Sequence, residues 1–418
     1  LSKLTPAQFQ EASTLLVSVL QFAAPADALV SAHFRHNPKL GSHDRALIAD
    51  CVYGVLRRLL ALRWLMPEAT PRLWLLLWLA RFQGISLREL EPLTREKDRV
   101  KLSEAKSRAL EGAPLDVHAE LPDWVVAALG ETRGDEDILA LGRSLQQPAP
   151  LDLRVNTLKD SREAVLELLA KHGVDAAATP YSPWGIRIRT PLDLSRHVLF
   201  KKGVFEVQDE GSQLLALLTG ARRGEMVADL CAGAGGKTLA LGAAMASSGR
   251  LYAFDISEKR LSKLSPRLKR SGLSNVTVQL IASENDTRIK RLAGKLDRVL
   301  IDAPCSGLGT LRRNPDLKFR QSPDTVASLV KTQASLIRAG AKLVKPGGRL
   351  VYATCSLLPA ENQAIVEGFL AEHAEFKRVP ARDVLAAQRV ALDTGDYLQL
   401  NPAMHGTDGF FAAVLEKQ

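Results

Sequence analysis

The chain reads as an α/β protein: an open, largely parallel sheet domain over its carboxyl-terminal half, preceded by a small α+β module and an all-α segment. Three observations predict this order. From about residue 224 short apolar runs alternate regularly with helical stretches, as in a sheet with helices on both faces. Before that, 151–156 and 185–189 alternate apolar and polar residues with period two around one helix-like segment. The first ~135 residues instead space their apolar positions as helices do.

At 418 residues the chain exceeds what one hydrophobic core usually supports, so several domains are expected. The boundaries read from the pattern are 1–138, 139–203 and 204–418. With 46% hydrophobic and 24% charged residues it belongs among folded globular chains. Lys and Arg number 56 against 46 Asp and Glu, a net +10 that suits a polyanionic partner such as nucleic acid. Its four cysteines lie apart without Cys/His ligand spacing, which argues against a disulfide framework and a zinc site. Free thiols and a reducing cytoplasm are the simpler expectation. The most apolar run, 73–80, falls far short of the roughly 20 residues of a membrane span. No signal-like apolar stretch follows Leu1, and the expected location is the cytoplasm.

Taken in order, Ile48, Val52, Val55, Leu59 and Leu62 mark one face of a helix that starts near Asp44 and stops before Pro67. Cys51 lies on that apolar face and reads as a core thiol. Arg45, Arg57, Arg58 and Arg63 decorate the same segment, either as a solvated face or as a surface for RNA. The stretch Gln146-Gln-Pro-Ala-Pro150 looks like a boundary. Residues 151–156 and 185–189 then read as strands, with a helix from Ser161, a candidate N-cap, to His172. Five strands are expected beyond: 226–230, 251–255, 276–281, 298–302 and 349–353. Ligands of such sheets bind at the carboxyl ends of the strands, beside the switch in strand order.

The first of these strands runs into Cys231-Ala232-Gly233-Ala234-Gly235-Gly236-Lys237. Glycines there let the backbone approach a ligand closely, yet the third glycine of a dinucleotide fingerprint is missing. Asp255 ends the next strand about twenty residues on, where a carboxylate can take both hydroxyls of a ribose. Adenosine without a pyrophosphate suits this loop, which favours S-adenosylmethionine over NAD. Asp286 follows the third strand and is the candidate for the adenine amino group, with Glu284 and Asn285 as alternatives; a helix N-cap is the plainer reading.

Two cysteines stand just beyond expected strand ends, Cys305 in Asp302-Ala-Pro-Cys305-Ser-Gly307 and Cys355 in Thr354-Cys355-Ser356. Cytosine C5 is a poor nucleophile, and adding a thiolate to C6 makes it enamine-like and able to attack a sulfonium methyl. A base must then remove the C5 proton so that the thiolate can leave. Cys355, Cys305 and Asp302 supply a thiol, a proton acceptor and an acid for the N3/N4 edge if the two strands are neighbours.

Five stretches together resemble the RNA cytosine-C5 methyltransferases, in particular the bacterial small-subunit ribosomal RNA enzymes of the RsmB (Sun/Fmu) type. They are Arg154-Val-Asn156-Thr-Leu-Lys159, 203–212, Asp229 through Thr238, Asp302 through Gly307 with Arg312-Arg313-Asn-Pro-Asp316, and Tyr352 through Ser356. The segment 44–56 is similar to a NusB-like RNA-binding helical domain. The resemblance implies a Rossmann-like, S-adenosylmethionine-dependent methyltransferase domain acting on RNA, most directly 16S ribosomal RNA, with no role for DNA or membrane. It makes Cys355 the nucleophile and Cys305 the residue assisting release, a distinction that Pro304-Cys305 alone would invert. Residues 231–237, Asp255, Asp286 and Asp302 would hold the methyl donor, with Asp302 also touching the base. Ala234 departs from the proline common in the family and changes the stiffness of the loop.

The target base must leave its stack to reach such a pocket. Arg312, Arg313, Lys318 and Arg320 follow the Cys305 loop and are the expected phosphate contacts, extended by Lys201 and Lys202. The alternative function is a non-catalytic RNA-binding assembly factor, against which the full set of cysteines and acids counts.

Overall fold

The computed structural model describes residues 4–190, 192–194 and 196–418. Two compact units emerge, one made of residues up to 148 plus 310–323, the other of 149–309 and 324–418. The short segment 310–323, which directly follows the Cys305 loop in the chain, is therefore part of the first unit.

That first unit is helical. Its opening helix, Pro6–Val19, starts with a capping box in which Thr5 and Gln8 exchange side-chain-to-backbone bonds. The apolar run 73–80 lies in the helix Pro71–Arg81 and is buried apart from the half-buried Trp74. Among the described residues no helix is long and apolar enough to cross a membrane. Cys51 is fully buried, and burial pushes its thiol up to about 12. The helix expected across 44–66 is instead two, Ser42–Arg57 and Leu59–Leu65, broken at Arg58. A residue distant in sequence causes the break: the Glu120 carboxylate accepts from the Leu60 and Ala61 amides at 3.0 and 3.1 Å, capping the second helix.

The second unit carries two sheets. Strands β1 (Leu151–Val155), β2 (Ala176–Ala178), β3 (Gly185–Ile188) and β4 (Phe205–Val207) form an antiparallel sheet in the order β2-β3-β1-β4. The helix Arg162–Lys171 packs beside it, with the Ser161 hydroxyl accepting from the Ala164 amide at 3.2 Å. The larger sheet holds β5 (Met226–Asp229), β6 (Arg250–Asp255), β7 (Val276–Leu280), β8 (Leu296–Asp302), β9 (Val344–Thr354), β10 (Phe376–Val379), β11 (Leu398–Leu400) and β12 (Phe410–Lys417). Its order is β10-β12-β9-β8-β5-β6-β7, with β11 on β12. The five strands foreseen, β5 to β9, are the parallel ones. The three that follow are antiparallel additions the pattern did not announce, since β12 is buried along most of its length and shows no alternation.

Residues alternate between the two faces of this sheet. Val299, Ile301, Leu350 and Tyr352 point into one apolar core, and Leu300, Val351 and Ala353 into the other. The order reverses at β5, which is flanked by β6 on one side and β8 on the other. The carboxyl ends of β5 and β8 therefore border the crevice where such sheets bind ligands.

Candidate active site

Beyond Asp229 the chain turns sharply through 231–235 into the helix Gly236–Ala244. Gly233 and Gly235 have φ of 55° and 84°, a region that costs side-chain-bearing residues about 1–2 kcal/mol. A Cβ on Gly235 would also lie 2.0 Å from Leu264 Cδ1. The Gly233 amide donates to Asp255 Oδ2 at 2.8 Å, which ties the loop to the end of β6. Arg267 holds the Ala234 carbonyl at 2.6 Å, so the loop is fixed from outside although proline is absent. Arg154 Nη1 reaches the Gly236 carbonyl at 2.5 Å and also donates to Gln208. This explains why the Arg154 and Gln208 stretches travel with the glycine loop: the small sheet braces it.

A cavity of about 610 Å³ opens over the carboxyl ends of the strands. Its walls include the 231–237 loop apart from Gly235, together with Asp255, Glu284, Asp302, Cys305 and Cys355. Gly235 shapes the turn from behind. Asp286 does not line this cavity: its carboxylate accepts from the Ala282 and Arg288 amides at 3.1 and 2.9 Å and caps the short helix Thr287–Lys290. Those bonds hold its carboxyl below the usual range, the Arg288 amide contributing most. Glu284, an alternative for the same role, faces the cavity and accepts from Ser335 Oγ at 2.5 Å.

The two cysteines meet. Cys305 Sγ and Cys355 Sγ are 3.4 Å apart because β8 and β9 are adjacent and parallel, ending in register at Asp302 and Ala353. The hydrogen bond to Cys355, burial and nearby negative charge together push the Cys305 thiol well up. Lys237 Nζ lies 2.6 Å from Asp302 Oδ2. Burial alone would depress this lysine, but the charge and hydrogen bond of Asp302 hold it above the ordinary range. Asp229, 1% exposed, is pushed up to about 7 by burial, against a hydrogen bond from Thr238 at 2.7 Å. Cys231 is likewise raised, first by burial and then by the three surrounding aspartates.

A buried carboxylate, Glu361, lies behind the pair and joins Ser306, Ser356 and Gln333. Sequence reasoning passed over it, since an acid five residues beyond Ser356 in an apolar stretch carries no spacing signal. Gly309 closes the site: its amide donates to the Cys355 carbonyl at 2.9 Å, and a Cβ there would lie 2.1 Å from the Gly409 carbonyl oxygen.

The expected phosphate contacts fare differently. All four sit in the 310–323 segment, within the helical unit. Lys318 is 3% exposed and donates to the Glu120 and Arg57 carbonyls, with the Glu120 carboxylate at 3.3 Å. It packs inside the helical unit, next to Phe319, whose ring stacks on Phe22. Arg312 is also buried, while Arg313 and Arg320 remain half-buried, Arg320 lying 3.5 Å from Asp316. Arg57, Arg58 and Arg63 lie over the rings of Tyr53, Phe82 and Trp74, which spends much of their surface inside the unit. Lys201 and Lys202 are exposed.

A doubly wound sheet, a glycine-walled cavity with an acid at the end of the second strand and no pyrophosphate loop together define an S-adenosylmethionine-dependent methyltransferase. The model of the family described as 16S rRNA methyltransferase RsmB/F matches residues 216–416, and the ferredoxin-like domain of that family matches 121–195. The ribosomal RNA small subunit methyltransferase B of Pseudomonas syringae pv. tomato is 34% identical over 309 residues, covering 74% of this chain and 68% of that protein. The probable counterpart in Synechocystis sp. is 34% identical over 71% of this chain and 66% of its own length. Among solved structures, the crystal structure of PH0851 superposes with a TM-score of 0.79 and 25% identity, covering 99% of both chains. The chain belongs to the RsmB/F family of 16S rRNA methyltransferases.

Proposed function

We propose that this chain methylates C5 of a cytosine in 16S ribosomal RNA through a covalent adduct between Cys355 and C6. The observation that carries the reading is the 3.4 Å approach of two free thiols at the wall of the donor cavity. S-adenosylmethionine supplies an electrophilic methyl on a sulfonium. The cavity fits it, with a glycine turn that admits no Cβ at Gly235, Asp255 for the ribose and Glu284 toward the adenine side.

Cys355 thiolate forms a bond to C6, and the displaced π electrons would form the bond from C5 to the methyl carbon as the methyl–sulfonium bond breaks, its electrons leaving with the donor as a neutral thioether. Asp302, held by Lys237, orients the N3/N4 edge of the base. The C5 proton then leaves with the assistance of Cys305. The electrons of that C–H bond restore the C5–C6 double bond, the C6–S bond breaks, and Cys355 returns as thiolate. The helical unit, with its NusB-like resemblance, and Lys201 and Lys202 would hold the RNA backbone, in the cytoplasm where ribosomal RNA is processed.

Mapping 5-methylcytosine in 16S rRNA from cells with and without the protein tests the reaction. Cys355→Ala should abolish transfer, and persistent turnover would sink the assigned role. Cys305→Ala should stall at release, so that a protein–RNA adduct accumulates in denaturing gels when RNA and donor are present. Normal turnover without an adduct would remove Cys305 from that step.

A further inference from the structure

Both cysteine loops end on one carboxylate that the reaction itself does not call for. Glu361 is fully buried on the short helical turn Pro359–Glu361. Its Oε1 accepts from the Ser306 amide at 2.8 Å and from Gln333 Nε2 at 3.0 Å. Its Oε2 accepts from Ser306 Oγ at 2.5 Å and from Ser356 Oγ. Ser306 follows Cys305 and Ser356 follows Cys355, so one side chain grips the residue next to each thiol. Gln333 also donates to the Pro304 carbonyl at 2.9 Å, and the Tyr352 hydroxyl fixes the Glu361 carbonyl at 2.7 Å. The β8–β9 ladder stops at Asp302 and Ala353, so beyond it the thiol spacing depends on such loop contacts.

The surroundings of the two sulfurs differ in sign. The Glu361 carboxylate acts on Cys305, whereas the Lys237 ammonium, itself paired with Asp302, acts on Cys355. An anion at one end of a shared S–H···S bond and a cation at the other draw the proton toward the anion.

We propose that Glu361 is a positioning residue for the methyl-transfer reaction: it fixes the two cysteine loops against each other and keeps the proton of the thiol pair on Cys305, leaving Cys355 to attack. The inference rests on the cysteine roles proposed above. It also gives those roles a cause, since the two loops are otherwise alike in placing a thiol just past a strand end. Once Cys355 has become a thioether, its hydrogen bond and charge no longer act on Cys305, and these rank among the causes that keep that thiol protonated. Cys305 is thereby freed to ionise at the stage where a base is needed.

Competitive alkylation with iodoacetamide, read by peptide mass spectrometry, reports the position of the proton without RNA. At about pH 7.5 the native chain should be labelled at least about fivefold faster on Cys355 than on Cys305. In Glu361→Gln, which keeps the shape and loses the charge, that ratio should fall below about twofold. Its kcat should drop about tenfold or more, with KM for S-adenosylmethionine nearly unchanged, as expected for a misplaced reacting group. A native kcat with an unaltered labelling ratio overturns the proposal, and so does uniform labelling accompanied by lost donor binding, the mark of general loosening. If Glu361→Gln does not fold, the Ser306→Ala, Ser356→Ala double variant keeps the charge and cuts the grip. It should then retain the labelling bias while losing kcat, and a native kcat there overturns the positioning role. Turnover by Cys355→Ala would instead defeat the assignment of the cysteines, while the labelling ratio still reports on Glu361.

Discussion

Gly235 is held by two independent constraints, a φ of 84° and a Leu264 methyl that a Cβ would meet at 2.0 Å. Gly235→Ala must therefore move the loop that lies under the donor. Its affinity for S-adenosylmethionine should fall by about tenfold or more, since 1.4 kcal/mol is a tenfold change and the strain alone is about 1–2 kcal/mol; calorimetric titration checks this. Asp229 makes a prediction about pH. Its folded-state value is raised to about 7 from an ordinary 3.8, so the native state binds the extra proton. Its contribution to stability is thus fully present below pH ~4, declines as pH rises toward 7 and is gone above it, with a ceiling of roughly 4 kcal/mol. Asp229→Asn should flatten that part of the pH profile in thermal unfolding. An equally steep profile in the variant would show that other groups carry it.

Among the elements, the 310–323 segment stands out because its cation is buried. Burial pushes the Glu120 carboxyl up and the Lys318 ammonium down, so the pair is held at a desolvation cost that its mutual attraction only partly offsets. Removing one partner leaves the other charge stranded. Lys318→Met should cost about 3–5 kcal/mol in denaturant unfolding of the helical unit, and adding Glu120→Gln should recover part of it, although Glu120 also caps the helix Leu59–Leu65. A double variant no better than the single one would mean that the loss is packing and not charge. The same segment anchors through other contacts: the Phe319 ring stacks on Phe22 at 4.9 Å, and the Ala26 amide donates to Asp316 at 3.1 Å. Lys318, read as an RNA contact, thus packs within the helical unit.

At the scale of the molecule, the net charge of +10 still calls for a polyanion even though Arg312 and Lys318 are withdrawn from the count. RNA affinity should fall steeply with salt, by about 0.7 in the logarithmic slope for each single-strand phosphate neutralised. Replacing exposed Lys201 and Lys202 by Gln should reduce that slope by about 1.4, while Lys318→Gln should leave it unchanged in any protein that still folds. Filter-binding titrations across a salt series measure both.

The sequence by itself determined the parallel half of the sheet, the glycine turn, the acid after the second strand and the presence of two thiols past strand ends. These follow from local rules, in which apolar period, strand length and glycine placement act within a few residues. It could not announce β10 to β12: β12, which pairs with β9, β10 and β11, is buried along most of its length without alternation, and β10 and β11 are short strands that pair onto it. Nor could it show that Asp286 caps a helix while Glu284 faces the cavity, since residues two apart in a turn differ only in direction. Only the tertiary structure decided that Glu120 breaks a helix some sixty residues away, that Lys318 is enclosed, and that Glu361 binds both cysteine loops. The physical reason is common to all three: a buried charge is satisfied by whatever donors or counter-charges the fold brings to it, and sequence distance does not measure that approach.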